Sequence, residues 1–194
     1  MSPRESDVPG EITALLVAWR RGDRTSFDRL FPLVYDELRI LARRQLKRAA
    51  GGPALNTTAL IHEVYLKLVD QTRAEVHDRH HFFALAAKAM RHILVNHAQS
   101  SLTEKRGAGR ANLSLDEAEP VVHQEAAEVV ALHEALDALN QIDPRKSRVV
   151  EMRYFGGLSI EETAEVLGIS TITVNRDWRM ARTWLIREMN RKSS

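Results

Sequence analysis

The stretch that most constrains this chain is Leu158 to Leu185, LSIEETAEVLGISTITVNRDWRMARTWL. Ser159 with Glu162 three residues on makes a capping box, so a helix begins there. Gly168 ends that helix, as a residue free to take φ > 0. Ser170 caps a second one. Ala164, Gly168 and Val174 then stand at the spacing of a helix-turn-helix. A small residue lets the helices approach, a glycine makes the turn, and a β-branched residue wedges between them.

Helical periodicity sorts the second helix into two faces. Val174, Trp178, Ala181 and Leu185 form an apolar stripe, while Ile172, Asn175, Arg176 and Arg179 point the other way. A helix seated by such a stripe can enter a major groove, where Arg pairs with guanine edges and Asn with adenine edges. An ordinary helical hairpin with a solvated basic face shares the amphipathicity. The turn spacing, the cap and the outward Arg and Asn together favour DNA. The candidate duplex contacts are Ser170, Thr171, Ile172, Asn175, Arg176, Arg179 and Arg182.

The remainder reads as helices. Glu11 to Gly22 places Ile12, Leu15, Leu16 and Trp19 on one face. Thr25 to Lys47 carries a stripe from Phe27 to Leu41, with Pro32 predicting a kink or break near its start. Ala49 to Pro53 is a turn. Asn56 or Thr57 caps a third helix through about Val69. Asp70 to His81 reads as a polar loop, and Phe82 to about Ser100 as a fourth helix. Leu102 to about Pro120 has no sustained period and reads as a linker. A helix follows from roughly Glu125, and another runs from Asp143-Pro144 to about Tyr154, ended by Gly156-Gly157. No strand pattern and no repeat is present. The expected fold is all-α: two small helical domains joined by a flexible linker. Residues 1–10 are expected to form a disordered tail, 11–103 and 125–192 the two modules, and 104–124 the linker.

Several chemistries lack their residues. The chain has no cysteine, hence no disulfide and no thiolate metal site. No apolar run approaches the ~20 residues that span a bilayer, so membrane insertion is not expected and a cytoplasmic location is. His77 and His81 stand four apart without a suitably spaced third ligand. His62-Glu63 begins like HExxH, but Leu66 stands where the second His is required. A metal-dependent enzyme using His62, Glu63, His77 and His81 is the rival this leaves. No phosphate loop or GxSxG is present, so neither catalysis nor a cofactor is expected.

Charge is patterned. Ala111 to Asn140 holds seven acidic residues and no Lys or Arg, whereas Thr171 to Ser194 holds six basic residues against Asp177 and Glu188. Arg39 to Arg48 is basic too. Two nucleic-acid-facing modules around an acidic connector would give this distribution. In the fourth helix the expected exposed face carries Lys88, Arg91, His92, Asn96 and Gln99, preceded by His80 and His81 in the loop. Cations there would track phosphates while polar groups read unstacked bases.

With these residues in order, the chain resembles the extracytoplasmic-function (ECF) sigma factors, the smallest class of RNA polymerase promoter-specificity subunits. The likeness covers roughly Glu11 to Met189. TALIHEVYLKLV (Thr58–Val69) resembles the family's core-polymerase-binding helix, FFALAAKAMRHILVNHA (Phe82–Ala98) the helix that opens and reads the promoter −10 element, and Leu139–Leu185 the −35-reading region 4. The resemblance implies that His62, Glu63, Leu66 and Lys67 dock on the β′ coiled coil of core RNA polymerase. It implies that His80, His81, Lys88, Arg91, His92, Asn96 and Gln99 read single-stranded −10 DNA, and that the C-terminal module reads duplex −35 DNA and touches the β flap. An anti-sigma factor is a candidate partner. Three positions depart from the usual pattern: His92 stands where many relatives have Asn, Gln99-Ser100-Ser101 replaces an often Arg-rich stretch, and Asn175 stands where Lys is common. A stand-alone helix-turn-helix regulator binding duplex DNA as a dimer is the alternative.

Overall fold

The computed structural model describes residues 8–49, 55–69, 76, 78–107 and 119–193. Its described elements are helices: α1 (Val8–Arg20), α2 (Arg24–Arg48), α3 (Thr57–Val69), α4 (Arg79–Gly107), α5 (Glu119–Ile142), α6 (Pro144–Val150), a π-helical turn (Glu151–Phe155), α7 (Ile160–Leu167) and α8 (Thr171–Ser193). No strand occurs among the described residues, and the all-helical expectation holds. The N-terminal tail before Val8, the turn at 50–54, most of the 70–77 loop and the linker between 107 and 119 lie outside the described residues.

The N-terminal half packs α1 to α4 around one aromatic nucleus. Trp19, Phe27 and Phe82 are all fully buried, with Trp19 4.8 Å from the Phe27 ring and edge-on to Phe82 at 6.4 Å. Trp19 and Phe27 follow the helical stripes read from the sequence, and each buried large side chain contributes roughly 1.5–3 kcal/mol. Caps set the starts. Asp23 accepts from the Thr25 N–H at 3.0 Å, and Asn56, rather than Thr57, caps α3 by accepting from the Ala59 N–H at 2.9 Å.

Several elements differ from expectation. Helix α1 begins at Val8 rather than Glu11. Helix α2 runs unbroken through Pro32, because Phe27, Leu30 and Val34, buried on either side of it, hold the chain helical. The start of α4 takes in Arg79 to His81, which had read as loop, since Asp78 accepts from the His81 N–H at 2.9 Å and so supplies a cap. The same helix continues to Gly107, and α5 starts at Glu119, so helix covers both ends of the stretch read as linker. Finally, the helix after Pro144 is α-helical only to Val150, then widens into the π turn.

The C-terminal half builds on that turn. Asp143 caps α6 by accepting from the Lys146 N–H at 3.1 Å. The Gly156 N–H donates to the Glu151 carbonyl at 2.9 Å, closing the wide turn. Gly157, at φ +72°, redirects the chain into the helix-turn-helix. The halves are not separate beads. Helix α4 packs along α5 and the π turn, and a single apolar core runs through both modules.

Candidate nucleic-acid interface

The helix-turn-helix has the local chemistry its sequence foretold. The Ser159 side chain accepts from the Glu162 N–H at 3.0 Å, and Glu162 reaches back to the Ser159 N–H at 2.7 Å. Gly168 sits at φ +63°. Ser170 Oγ accepts from the Thr173 N–H at 3.2 Å and starts α8. Val174 is fully buried against Val149 and Ala164, which sets the crossing of the two helices. Ala181 and Leu185 are buried in the larger core.

This packing leaves Ser170, Thr171, Ile172, Asn175, Arg176, Arg179 and Arg182 on the exposed side of α8. Ile172 is 79% exposed, an apolar group held in water between polar neighbours. Contact with a thymine methyl would desolvate it. The same open groove continues to Thr183 and Arg187, which sequence reasoning had not picked out although they follow at helical spacing.

Sequence reasoning also missed Asp177. It lies between Arg176 and Trp178 yet is 1% exposed. Arg145 of α6 donates its Nε–H to Asp177 Oδ2 at 2.6 Å, and this hydrogen bond, with the attached charge attraction, raises the Arg145 pKa above its ordinary value. The pair ties α8 to α6 on the side that also buries Val174 and Ala181, away from Asn175 and Arg179. No periodicity rule finds it, because an Asp in a basic helix looks like an ordinary solvated charge.

On α4 the expected face divides. Lys88, Asn96 and Gln99 are exposed and fall within one helical sector. His92 lies in that sector but is half-buried. Burial pushes its imidazole down to about 4, with help from the cationic Arg91 and Lys67, from His133 and from Lys88. Arg91 is not on the exposed face. It is 4% exposed and points into the seam with the C-terminal module, donating to Glu151 Oε1 at 2.7 Å and contacting His133. One hundred degrees separate successive residues, so Arg91 and His92 cannot share a face. The partner that draws Arg91 inward is 60 residues away in sequence. His80 and His81 stand at the start of α4. His80 Nε2 is 3.5 Å from Glu162 of α7, and the His81 ring is 2.8 Å from Asp78.

On α3, His62 and Leu66 are exposed, Leu66 at 52%, with Lys67 half-buried beside them. Glu63 is half-exposed and its carboxylate is 3.0 Å from His97 Nε2. Among the described residues no cluster of three or more His, Asp or Glu side chains could hold a metal ion, and His77 lies outside them. No described helix is long and apolar enough to cross a membrane.

A family model described as "ECF sigma factor" matches residues 9–191. The chain belongs to the ECF sigma factor family. Among curated proteins it is 25% identical over 166 residues to the ECF RNA polymerase sigma factor BldN of Streptomyces coelicolor, covering 86% of this chain. It spans 61% of that relative's length. No solved structure gives a significant match. Within an ECF sigma factor, the exposed basic face of α8 and the polar sector of α4 fall in the two modules from which DNA contacts were expected.

Proposed function

We propose that this protein binds core RNA polymerase and directs promoter-specific initiation, reading −35 with α8 and −10 with α4. The observation that carries this reading is the orientation of α8. Asn175, Arg176 and Arg179 are exposed on a capped helix-turn-helix while Val174 and Asp177 anchor its other side. Phosphate contacts at the helix start would set register, and base-edge contacts from Asn175, Arg176 and Arg179 would set preference. Lys88, His92, Asn96, Gln99, His80 and His81 would hold unstacked −10 bases, so binding energy rather than hydrolysis offsets unstacking. Arg91, buried in the seam on another side of α4, is not among them.

Core docking falls to α3. Leu66 offers exposed apolar area, and His62, Glu63 and Lys67 surround it with polar groups, as a protein interface requires. The partners of this reading are the β′ coiled coil, the β flap and promoter DNA, with an anti-sigma factor as a candidate regulator. The test is co-purification with core polymerase and abortive transcription from a promoter carrying both elements. Complex formation with open-promoter products is expected. Duplex binding as a dimer, without polymerase association, would instead make the protein a stand-alone regulator. Glu63→Lys, on an exposed side of α3, should weaken core binding with helicity unchanged; normal affinity for core would remove α3 from the docking surface.

A further inference from the structure

A cavity of about 40 Å³ lies where α2, α4, α5 and the π turn meet. A water-sized atom needs roughly 10–15 Å³ of such space, so the cavity holds about one to three of them and is too small for a phosphate. The polar side chains that line it are Gln45, Arg48, Arg91, His133 and Tyr154. Among the described residues, no Asp or Glu side chain lines it. A groove of about 150 Å³ adjoins it, sharing Arg48, Val129, Leu132 and Tyr154 as walls and extending to the exposed Glu128. Only those side chains separate the cavity from solvent.

Arg91, 4% exposed, brings an unused donor to this space. Its terminal nitrogens are occupied: Nη2 donates to Glu151 Oε1 at 2.7 Å, and Nη1 contacts His133. Its Nε–H is buried and has no acceptor among the described residues. A buried cationic N–H without an acceptor carries its full desolvation penalty, which a water or an anion in the cavity would relieve. Charge decides between the two. Arg48, on the same wall, donates to the Tyr154 carbonyl and lies 4.3 Å from the Tyr154 ring centre, so it is met by a carbonyl and a ring face rather than a carboxylate. Asp137 stands 3.8 Å from Arg91 but is 60% exposed, where water screens it. Glu151 alone then faces two guanidinium groups. Burial first, and Arg91 next, lower the pKa of both His92 and His133, as expected beside an excess of positive charge. Gln45 spends its amide nitrogen on Ala87 O and Phe155 O. An anion accepting from Arg91 Nε–H would make a charge-assisted bond, about twice as strong as a neutral one.

We propose that this cavity is a binding site for one small monovalent anion, a halide such as chloride, held by the Arg91 Nε–H beside the Arg48 guanidinium. The site rests on the cavity, its orphaned donor and its acid-free wall, and stands apart from the promoter reading. A ligand that binds only the folded chain stabilises it according to its occupancy. The protein is therefore more stable in chloride than in an equal concentration of an anion too bulky to enter.

The test uses the full chain at constant ionic strength, with gluconate exchanged stepwise for chloride. Chloride should raise the thermal midpoint saturably, by roughly 3–6 °C at about ten times its Kd. The NMR resonance of the Arg91 Nε–H should move over the same concentration range. Val129→Met lengthens a lining side chain into the cavity and should abolish both responses. Arg48→Gln, at an exposed position, removes one of the two cations and should raise the chloride needed for half the effect severalfold. It serves if Val129→Met fails to fold. Crystals grown in bromide should show an anomalous-scattering peak in the cavity beside Arg91 Nε. A midpoint that rises without saturating, a response that survives in folded Val129→Met, or a titration unchanged by Arg48→Gln overturns the anion site. So do bromide crystals that hold only water there.

Discussion

Removing the exposed member of the Arg145–Asp177 pair should cost more than removing the buried one. Arg145 is about half exposed and Asp177 is 1% exposed. In Asp177→Ala, the guanidinium left behind swings into water. The variant loses one charge-assisted hydrogen bond and is relieved of burying a carboxylate whose Oδ1 has no hydrogen-bond partner. The net cost is about 1.5 kcal/mol, the low end for a hydrogen bond to a charged group. In Arg145→Ala, the carboxylate stays buried. Its nearest remaining cation is Arg176 Nε, 3.7 Å away on a side chain 64% exposed. Stranding a buried charge costs about 3–5 kcal/mol, and this residual partner favours the lower end, about 3 kcal/mol. For a chain of this size, one kcal/mol moves Tm by roughly 2–4 °C. Arg145→Ala should therefore lower Tm by about 6–12 °C and Asp177→Ala by about 3–6 °C. Thermal unfolding followed by circular dichroism measures both. Equal shifts, or the larger one for Asp177→Ala, would refute the claim that this pair anchors α8.

Arg176→Ala should reduce −35 recognition by about 1–3 kcal/mol in a duplex-binding titration if it pairs with a base edge; an unchanged preference would place the reading face elsewhere. Gly156→Ala should destabilise more than Gly168→Ala although only Gly168 has a positive φ. A Cβ at Gly156 would come 2.6 Å from the Met152 backbone carbonyl, whereas one at Gly168 meets nothing and costs about 1 kcal/mol through φ alone; urea unfolding of the two variants ranks them. Acid should weaken the seam around His92. Its folded imidazole is held at about 4 against an ordinary 6.5, so the unfolded chain takes up the proton first. Stability is then full above about pH 6.5 and falls as the pH drops towards 4, which urea midpoints at pH 7 and pH 5 report. A His92 imidazole titrating near 6.5 by NMR would show instead that the ring is solvated.

The sequence alone determined what acts within one or two helical turns. The capping box at Ser159, the turn glycine at Gly168, the start at Asp143-Pro144 and the apolar stripes all rest on groups three to seven residues apart, close enough for backbone geometry to bring them together. The helix-turn-helix and its outward Arg and Asn were legible for that reason, as was the all-helical class. Pro32 does not break α2 because tertiary packing outweighs a local helix-breaking preference, and the ends of α4 and α5 were missed because a polar composition does not separate a solvated helix from a linker. Tertiary structure decided the burial of Arg91 and Asp177. A charged residue on an amphipathic helix has the same sequence signature whether water or an opposite charge faces it. Glu151 lies 60 residues from Arg91 and Arg145 lies 32 residues from Asp177, and nothing local records either partner. The same holds for the seam as a whole: each module carries its own periodic pattern, and only their docking shows that the helix expected to read DNA gives one of its arginines to the other module.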